Sequence, residues 1–203
     1  TLRSRGLGDV YKRQMCGIAG LIHRGKSSNV GSELQLMLQA LKHRGPDSTG
    51  YALYAENDGK NFIMRFKVGE NVGEGSTSVN EDDSVYDKRK ELVDQMLKNL
   101  NATVVKEEKL TPYSYRYEMK YDQDLMEFSK KIESIESVEI LSIGKSLELI
   151  KDLGDARAVS ERYDLGKVKG THGIGHARMA TESGVDIKSA HPFWGYPFSD
   201  VSV

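Results

Sequence analysis

A single cysteine, Cys16, stands in the stretch "MCGIAG" directly after Met15. A cysteine is nucleophilic only as thiolate, and an ordinary thiol with a pKa of about 8.5 needs a base. If residue 16 is the mature N-terminus, the base comes with it. The α-amine has a pKa of about 7.7–8.0 and lies within one residue's reach of the sulfur. Inside a peptide bond the same nitrogen is an amide and accepts no proton, so this chemistry requires everything before Cys16 to be removed. Met15 suits removal because the next residue is small. The bland alternative is a buried, inert thiol acting as a small hydrophobe.

Three other stretches invite chemistry. His172 and His176 have a spacing that suits zinc on a helix, but "GTHGIGHAR" is laced with glycine and reads as a strand. At roughly 3.3 Å per residue the two imidazoles stand about 13 Å apart, too far to share an ion. With one cysteine and no clustered acids, no metal is expected. "SIGKS", residues 142–146, has the end of a phosphate-binding loop, but the glycine that pattern needs is Glu139, so it reads as a strand-to-helix turn. "HRGPD", residues 43–47, reads as a helix stop followed by a turn.

These residues need a scaffold. A length of 203 residues suits one domain, or one domain carrying an insertion. A hydrophobic share of 38% and a charged share of 29% describe a globular chain. The formal charge of −1, from 29 basic and 30 acidic residues, offers no face for a polyanion, so no nucleic acid is expected. No apolar run approaches the roughly 18 residues of a membrane span. The first fourteen residues, "TLRSRGLGDVYKRQ", lack the apolar core of a secretory signal. A lone cysteine excludes an internal disulfide. Together these point to the cytoplasm.

Along the chain, "CGIAGLIH" reads as a buried strand. "SELQLMLQALKHRG" reads as a helix capped by Ser32, with Leu34, Met37, Leu38 and Leu41 at helical spacing and Gly45 and Pro46 as its stop. "TGYALYAE" and "NFIMRFKV" read as strands joined by the turn "NDGK". A glycine-rich, acidic loop begins at Gly69 and leads to an amphipathic helix over about 85–100, striped by Leu92, Val93, Met96 and Leu100. "ATVVKEEKL" and "YSYRYEMKY" read as strands, "DLMEFSKKIES" as a helix and "SVEILSIG" as a strand. "SLELIKDLGDARAVSERYD" reads as one or two helices. This run over residues 102–163 is expected to bury a small core of its own, within an insertion spanning about 81–165. "GTHGIGHARMATESG" then reads as a strand running into a polar turn. "SAHPFWGYPFSDVSV" is apolar and ends within what reads as another strand.

Three blocks, "MCGIAG", "LKHRGPDSTGYAL" and "GHARMATESG…SAHPF", occur in that order between residues 15 and 194. They resemble the blocks of class II glutamine amidotransferases, members of the N-terminal-nucleophile hydrolases. The resemblance implies an α+β fold, a four-layer α-β-β-α sandwich. Residues 15–203 would be its N-terminal part, interrupted by the insertion, and residues 1–14 a non-native addition or a propeptide. It implies that Cys16 attacks the side-chain amide of glutamine. It places Arg178, assisted by Thr181, at the substrate's α-carboxylate, which a guanidinium holds through two parallel charge-assisted hydrogen bonds. Gly17 and the backbone after it would lie against the substrate, where the lack of side chains permits close approach. Arg44 and Asp47 would be scaffold beside the nucleophile. Glu182 stands where many members have a histidine.

The family's Asn-Gly pair, which supplies oxyanion donors, and a later aspartate for the substrate amine are implied beyond Val203, since no Asn-Gly dipeptide occurs in the 203 residues. The chain therefore reads as C-terminally truncated, and with residues 1–14 attached it is expected to be inactive. The resemblance implies no cofactor in this chain. Its implied partners are glutamine and a separate ammonia-accepting synthase subunit, with no nucleic acid and no membrane. The insertion and the "ATES…AHPFW" block are most similar to stand-alone subunits of the glutamate-synthase type. Alternatives are an asparagine-synthetase, glucosamine-phosphate or phosphoribosylpyrophosphate amidotransferase domain, a hydrolase of another amide, or a non-catalytic regulatory or assembly subunit.

Overall fold

The computed structural model describes residues 16–45, 47–70, 81–179 and 190–203. Eight strands among them pair into two four-stranded antiparallel sheets. One sheet has the order β1-β8-β2-β7, from Gly17–Ile22, Gly170–Arg178, Ser48–Ala55 and Leu147–Leu153. The other has the order β4-β5-β3-β6, from Thr103–Thr111, Ser114–Lys120, Phe62–Lys67 and Glu139–Gly144. Four α-helices accompany them: α1 Val30–Ala40, α2 Asp83–Asn99, α3 Leu125–Ile132 and α4 Ala156–Arg162. The last three begin at Asp82, Asp124 and Asp155, whose carboxylates accept the first free backbone N–H groups. No helix of the described residues is long and apolar enough to cross a membrane.

Three apolar clusters set the layers. Leu34 and Leu38 of α1 and Val159 of α4 pack on Ala19, Tyr51, Leu53, Ile150 and Ala177 of the first sheet. Val93 and Leu97 of α2 and Phe128 and Ile132 of α3 pack on Met64, Phe66, Tyr115, Tyr117 and Ile143 of the second. Ala52, Leu141, Leu147 and Leu149 meet between the sheets. Side chains alternate across a strand, so each sheet has one face for its helices and one for the other sheet. The result is an α+β sandwich with helices outside both sheets. Helix α1 lies close on β8, where a Cβ added at Gly175 would stand 2.5 Å from Leu38 Cδ1.

Several elements differ from the sequence reading. Residues 147–153 are strand β7, buried along its whole length, and only 156–162 are helix. Strong helix formers are overridden here because β2 takes this segment as its partner. "SIGKS" is accordingly a corner between strands of different sheets. The segment 102–163 has no core of its own: β5 and β6 flank β3, and β7 pairs with β2. Strands β2 and β3, though joined by a short turn, lie in different sheets. Ser32 is not the cap of α1. Burial of Val30 extends the helix back to Asn29, and Ser32 Oγ donates to Asn29 O instead. Strand β1 is a half-exposed edge, with Ile18 76% and Ile22 70% exposed. In α2 it is Tyr86 and Leu97 that complete the buried stripe with Val93, while Leu92 is exposed. Phe193–Gly195 and 201–203 pair with each other as a hairpin rather than with either sheet.

Between the sheets, next to the small apolar cluster, runs a polar seam. Met64 and Phe66 point to the helices, which leaves Arg65 and Lys67 facing inward. Arg65 Nε and Arg116 Nε donate to Glu148 Oε2 at 2.7 and 2.8 Å. Lys67 Nζ donates to the carbonyl of Lys151 at 2.6 Å. Asp152 accepts from the hydroxyls of Tyr113 and Tyr163 at 2.7 and 2.8 Å. Burial alone would raise the Glu148 carboxyl, but the two guanidinium groups overcome it and hold the group down at about 2. An acid with a depressed pKa stabilises the fold above its unfolded value and loses that contribution as pH falls through the folded one. Removing one partner of such a buried set costs about 3–5 kcal/mol. We therefore predict that Glu148→Gln lowers stability by about that much at neutral pH, and that it flattens the loss of stability of the wild type between about pH 4.5 and 2. Urea titrations across that range check both; a variant as stable as wild type at pH 7 contradicts this account.

Candidate functional site

The ladders on either side of β8 bring the chemistry-bearing residues together. On one side Gly17 pairs with Ala177, so continuing the register by one residue sets Cys16 opposite Arg178. On the other side Ser48 pairs with Arg178, and the backbone N–H of Asp47 donates to Arg178 O at 3.2 Å. The carbonyl of Asp47 accepts in turn from Gly154 N at 2.9 Å, which ties the start of β2 to the end of β7. Directly opposed residues in antiparallel strands have Cα atoms roughly 4.5–5.5 Å apart. Segments distant in sequence thus meet at one end of the first sheet.

The end of α1 completes this corner. The helix stops at Ala40 and a single 3₁₀ turn, Lys42–Arg44, carries the chain over β8. Gly45 lies so tightly on the backbone of Ala177 and Arg178 that a Cβ there would collide. Gly17 is buried, and a Cβ on it would stand 3.0 Å from Leu41 Cβ and 3.6 Å from Arg44 Cβ. Its missing side chain therefore makes room for the end of α1. Of the residues singled out from sequence, Cys16, Gly17, Arg44, Asp47 and Arg178 converge here. Cys16 is exposed, while Arg44, Asp47 and Arg178 are half-buried. Met15, Pro46, Thr181 and Glu182 lie outside the described residues.

Ala177 packs towards α1, so its neighbours His176 and Arg178 leave β8 on the opposite face, towards the second sheet. His176 meets the ring of His191 edge-on at 5.5 Å, His191 meets Phe193 at 4.7 Å, and Lys151 Nζ sits 4.6 Å from the Phe193 ring centre. Burial pushes the His176 imidazole below its ordinary range, and the charges of His191 and Arg178 push it the same way. His172, at the far end of β8, stacks on Tyr54 at 3.9 Å. Each of the two histidines weighed as zinc ligands has a ring partner of its own. Among the described residues no three metal-ligating side chains group together.

Sequence reasoning missed how the hairpin at residues 193–203 is seated. The carbonyl of His191 lies directly on Gly50, leaving no space for a side chain there. The Asp200 carboxylate accepts backbone N–H bonds from Lys145, Ser146 and Leu147 at 3.0, 2.7 and 2.8 Å. No local pattern announces this, because the donors belong to the corner between β6 and β7. Tyr54 and Ser202 add a hydroxyl pair at 3.0 Å.

The arrangement offers an accessible thiol and, across one strand pairing, a guanidinium. A substrate with an anionic end and an electrophilic carbon a few bonds away suits such a pair. The contact of the Gly45 backbone with β8 generates a test. Gly45→Ala should cost about 1–3 kcal/mol by overpacking against fixed backbone, whereas Gly166→Ala, with open space around it, should stay within about 0.5 kcal/mol. Denaturant unfolding of both variants checks this, and equal effects would contradict the close contact.

No family model matches the chain. It is 36% identical over 203 residues to a protein named "Putative glutamine amidotransferase" from Methanothermobacter thermautotrophicus, covering 93% of this chain and 60% of that protein. It is 30% identical over 183 residues to "Glutamine amidotransferase-like protein GlxB" of Rhizobium meliloti, covering 88% of this chain and 54% of that one. A shorter likeness, 38% over 52 residues, relates 26% of the chain to 11% of an amidophosphoribosyltransferase from M. thermautotrophicus. The chain spans about 60% and 54% of the length of the first two curated relatives.

Proposed function

We propose that this chain is the glutaminase part of a class II glutamine amidotransferase, a sandwich of the N-terminal-nucleophile type, with Cys16 as its working first residue. The observation that carries the reading is the convergence of Cys16, Asp47 and Arg178 on one end of the first sheet, each from a different one of the three sequence blocks. Two relatives, named "Putative glutamine amidotransferase" and "Glutamine amidotransferase-like protein GlxB", support the amidotransferase part of it.

In this reading the residues before Cys16 are removed and its free α-amine takes the thiol proton. The thiolate attacks the side-chain amide carbon of glutamine, giving a tetrahedral intermediate. The amine returns its proton to the departing nitrogen, ammonia leaves, and a γ-glutamyl thioester remains. Water, deprotonated by the same amine, then hydrolyses the thioester to glutamate and restores the thiol. Arg178, with Thr181, holds the substrate's α-carboxylate; the Gly17 backbone lies beside it. Asp47 braces the corner through its two backbone hydrogen bonds, and Arg44 ends the 3₁₀ turn that leads into it. No step uses a cofactor. Ammonia passes to a separate synthase subunit of the glutamate-synthase type. The 52-residue likeness to an amidophosphoribosyltransferase favours, as a second reading, a phosphoribosylpyrophosphate acceptor for the same ammonia.

Arg178→Ala in the full-length protein beginning at Cys16 is expected to raise the glutamine KM by about a hundredfold or more, the loss of two charge-assisted hydrogen bonds, with a much smaller change in kcat. Steady-state kinetics check this. An unchanged KM would favour a hydrolase acting on an amide without a carboxylate.

A further inference from the structure

The inference drawn here rests on the glutaminase reading and concerns how the site holds the carboxylate end of its substrate. His176 is 6% exposed, and of its two ring nitrogens it is Nδ1 that is sealed from solvent with no hydrogen-bond partner. A neutral imidazole carries one N–H and one bare nitrogen. A proton on Nδ1 would create a buried donor with nothing to accept it, and orphaned buried donors are rarer and costlier than underused acceptors. The proton therefore belongs on Nε2. The ring is kept neutral by its surroundings, since burial, the neighbouring His191 and the Arg178 charge all oppose a second proton.

His176 also has the right address. It stands two residues before Arg178 on β8, so both side chains leave the same face of the first sheet. Its orientation is fixed from two directions. Backbone pairing sets it against Gly50, and the ring of His191 meets it edge-on at 5.5 Å. His191 in turn is seated on Gly50, and the hairpin after it is pinned by Asp200. A carboxylate has about four lone-pair positions and a guanidinium fork uses two, so positions remain for another donor.

We propose that His176 is a second substrate-binding residue, whose Nε2–H donates to the α-carboxylate of glutamine beside the Arg178 guanidinium. It would account for a histidine being sealed at this depth next to an arginine when an apolar residue of similar shape would pack without an orphaned nitrogen.

Two measurements on the full-length protein beginning at Cys16 test it. In ¹⁵N-histidine-labelled enzyme, His176 should show the Nε2–H tautomer, and its Nε2 resonance should move when glutamate is added. An Nδ1–H tautomer, or a signal indifferent to glutamate, overturns the proposal. In kinetics, His176→Phe should raise the glutamine KM about ten- to a hundredfold with little change in kcat. His176→Gln, which keeps an N–H donor, should recover to within about threefold of wild type. With 4-aminobutanamide, which is glutamine without its carboxylate, the Phe penalty on kcat/KM should shrink to less than about threefold. Equal penalties on both amides, or no recovery by Gln, would mean that the imidazole only fills space and would overturn the proposal. If Arg178→Ala raises KM while His176→Phe does not, this inference alone fails. If the wild type neither cleaves glutamine nor binds glutamate, the glutaminase reading fails and takes this inference with it.

Discussion

The register of β8 against its two neighbours is the constraint on which the site depends. Side chains alternate across a strand, so a slip of one residue would turn Arg178 towards α1 and bring Ala177 into the cleft. What prevents the slip is the unequal size of the two faces. Towards α1, β8 presents Gly173, Gly175 and Ala177, and the helix comes down so closely that a Cβ at Gly175 would meet Leu38. Towards the second sheet it presents His172, Ile174, His176 and Arg178, which fit only where the layers are farther apart. The short glycine-punctuated strand β1 and the Gly45 turn then fall into place on either side of Arg178. Cys16 and Arg178 are thus brought to the same end of the sheet by close packing of small residues.

The second sheet is tied to this arrangement by charge as much as by apolar contact. Buried Arg65 and Glu148 form one set with half-buried Arg116, and Lys67, Asp152, Tyr113 and Tyr163 form another. Each joins β3 or β5 of one sheet to β7 of the other, so neither set is satisfied until both sheets have assembled. Buried polar groups are costly when partly paired and rigidifying when complete. The hairpin at the end of the described chain adds a third tie, with Asp200 gripping the corner where the chain crosses between sheets. This bracing explains why β4 to β7 are part of the scaffold itself, with no separate core.

The residues that meet at the candidate site were legible in the sequence because they come in compact blocks. The cysteine after a methionine, the glycine-laced strand ending in Arg178, and the helix stop before Asp47 all carry local signals. The pairings that unite them carry none, since strand order is decided by partners far away in the chain. The same non-locality defeated the reading of residues 147–153. Its leucines, glutamate and lysine favour a helix in isolation, yet every side chain is buried as a strand beside β2. It also hid Asp200 and His191, whose roles depend on backbone groups and a glycine elsewhere. For Gly17 the packing adds a constraint that no local pattern announces, because its missing side chain also makes room for Leu41.

In the proposed mechanism one residue supplies both sulfur and base at this corner. The most direct measurement is the mass of the N-terminal peptide of the natural, active protein after reaction with an electrophilic glutamine analogue. That mechanism requires a peptide that begins at Cys16, carries one adduct on its sulfur, and reaches full labelling as glutamine cleavage falls to zero. Full activity in a protein that retains residues ahead of Cys16, or labelling and inactivation at another residue, would contradict it.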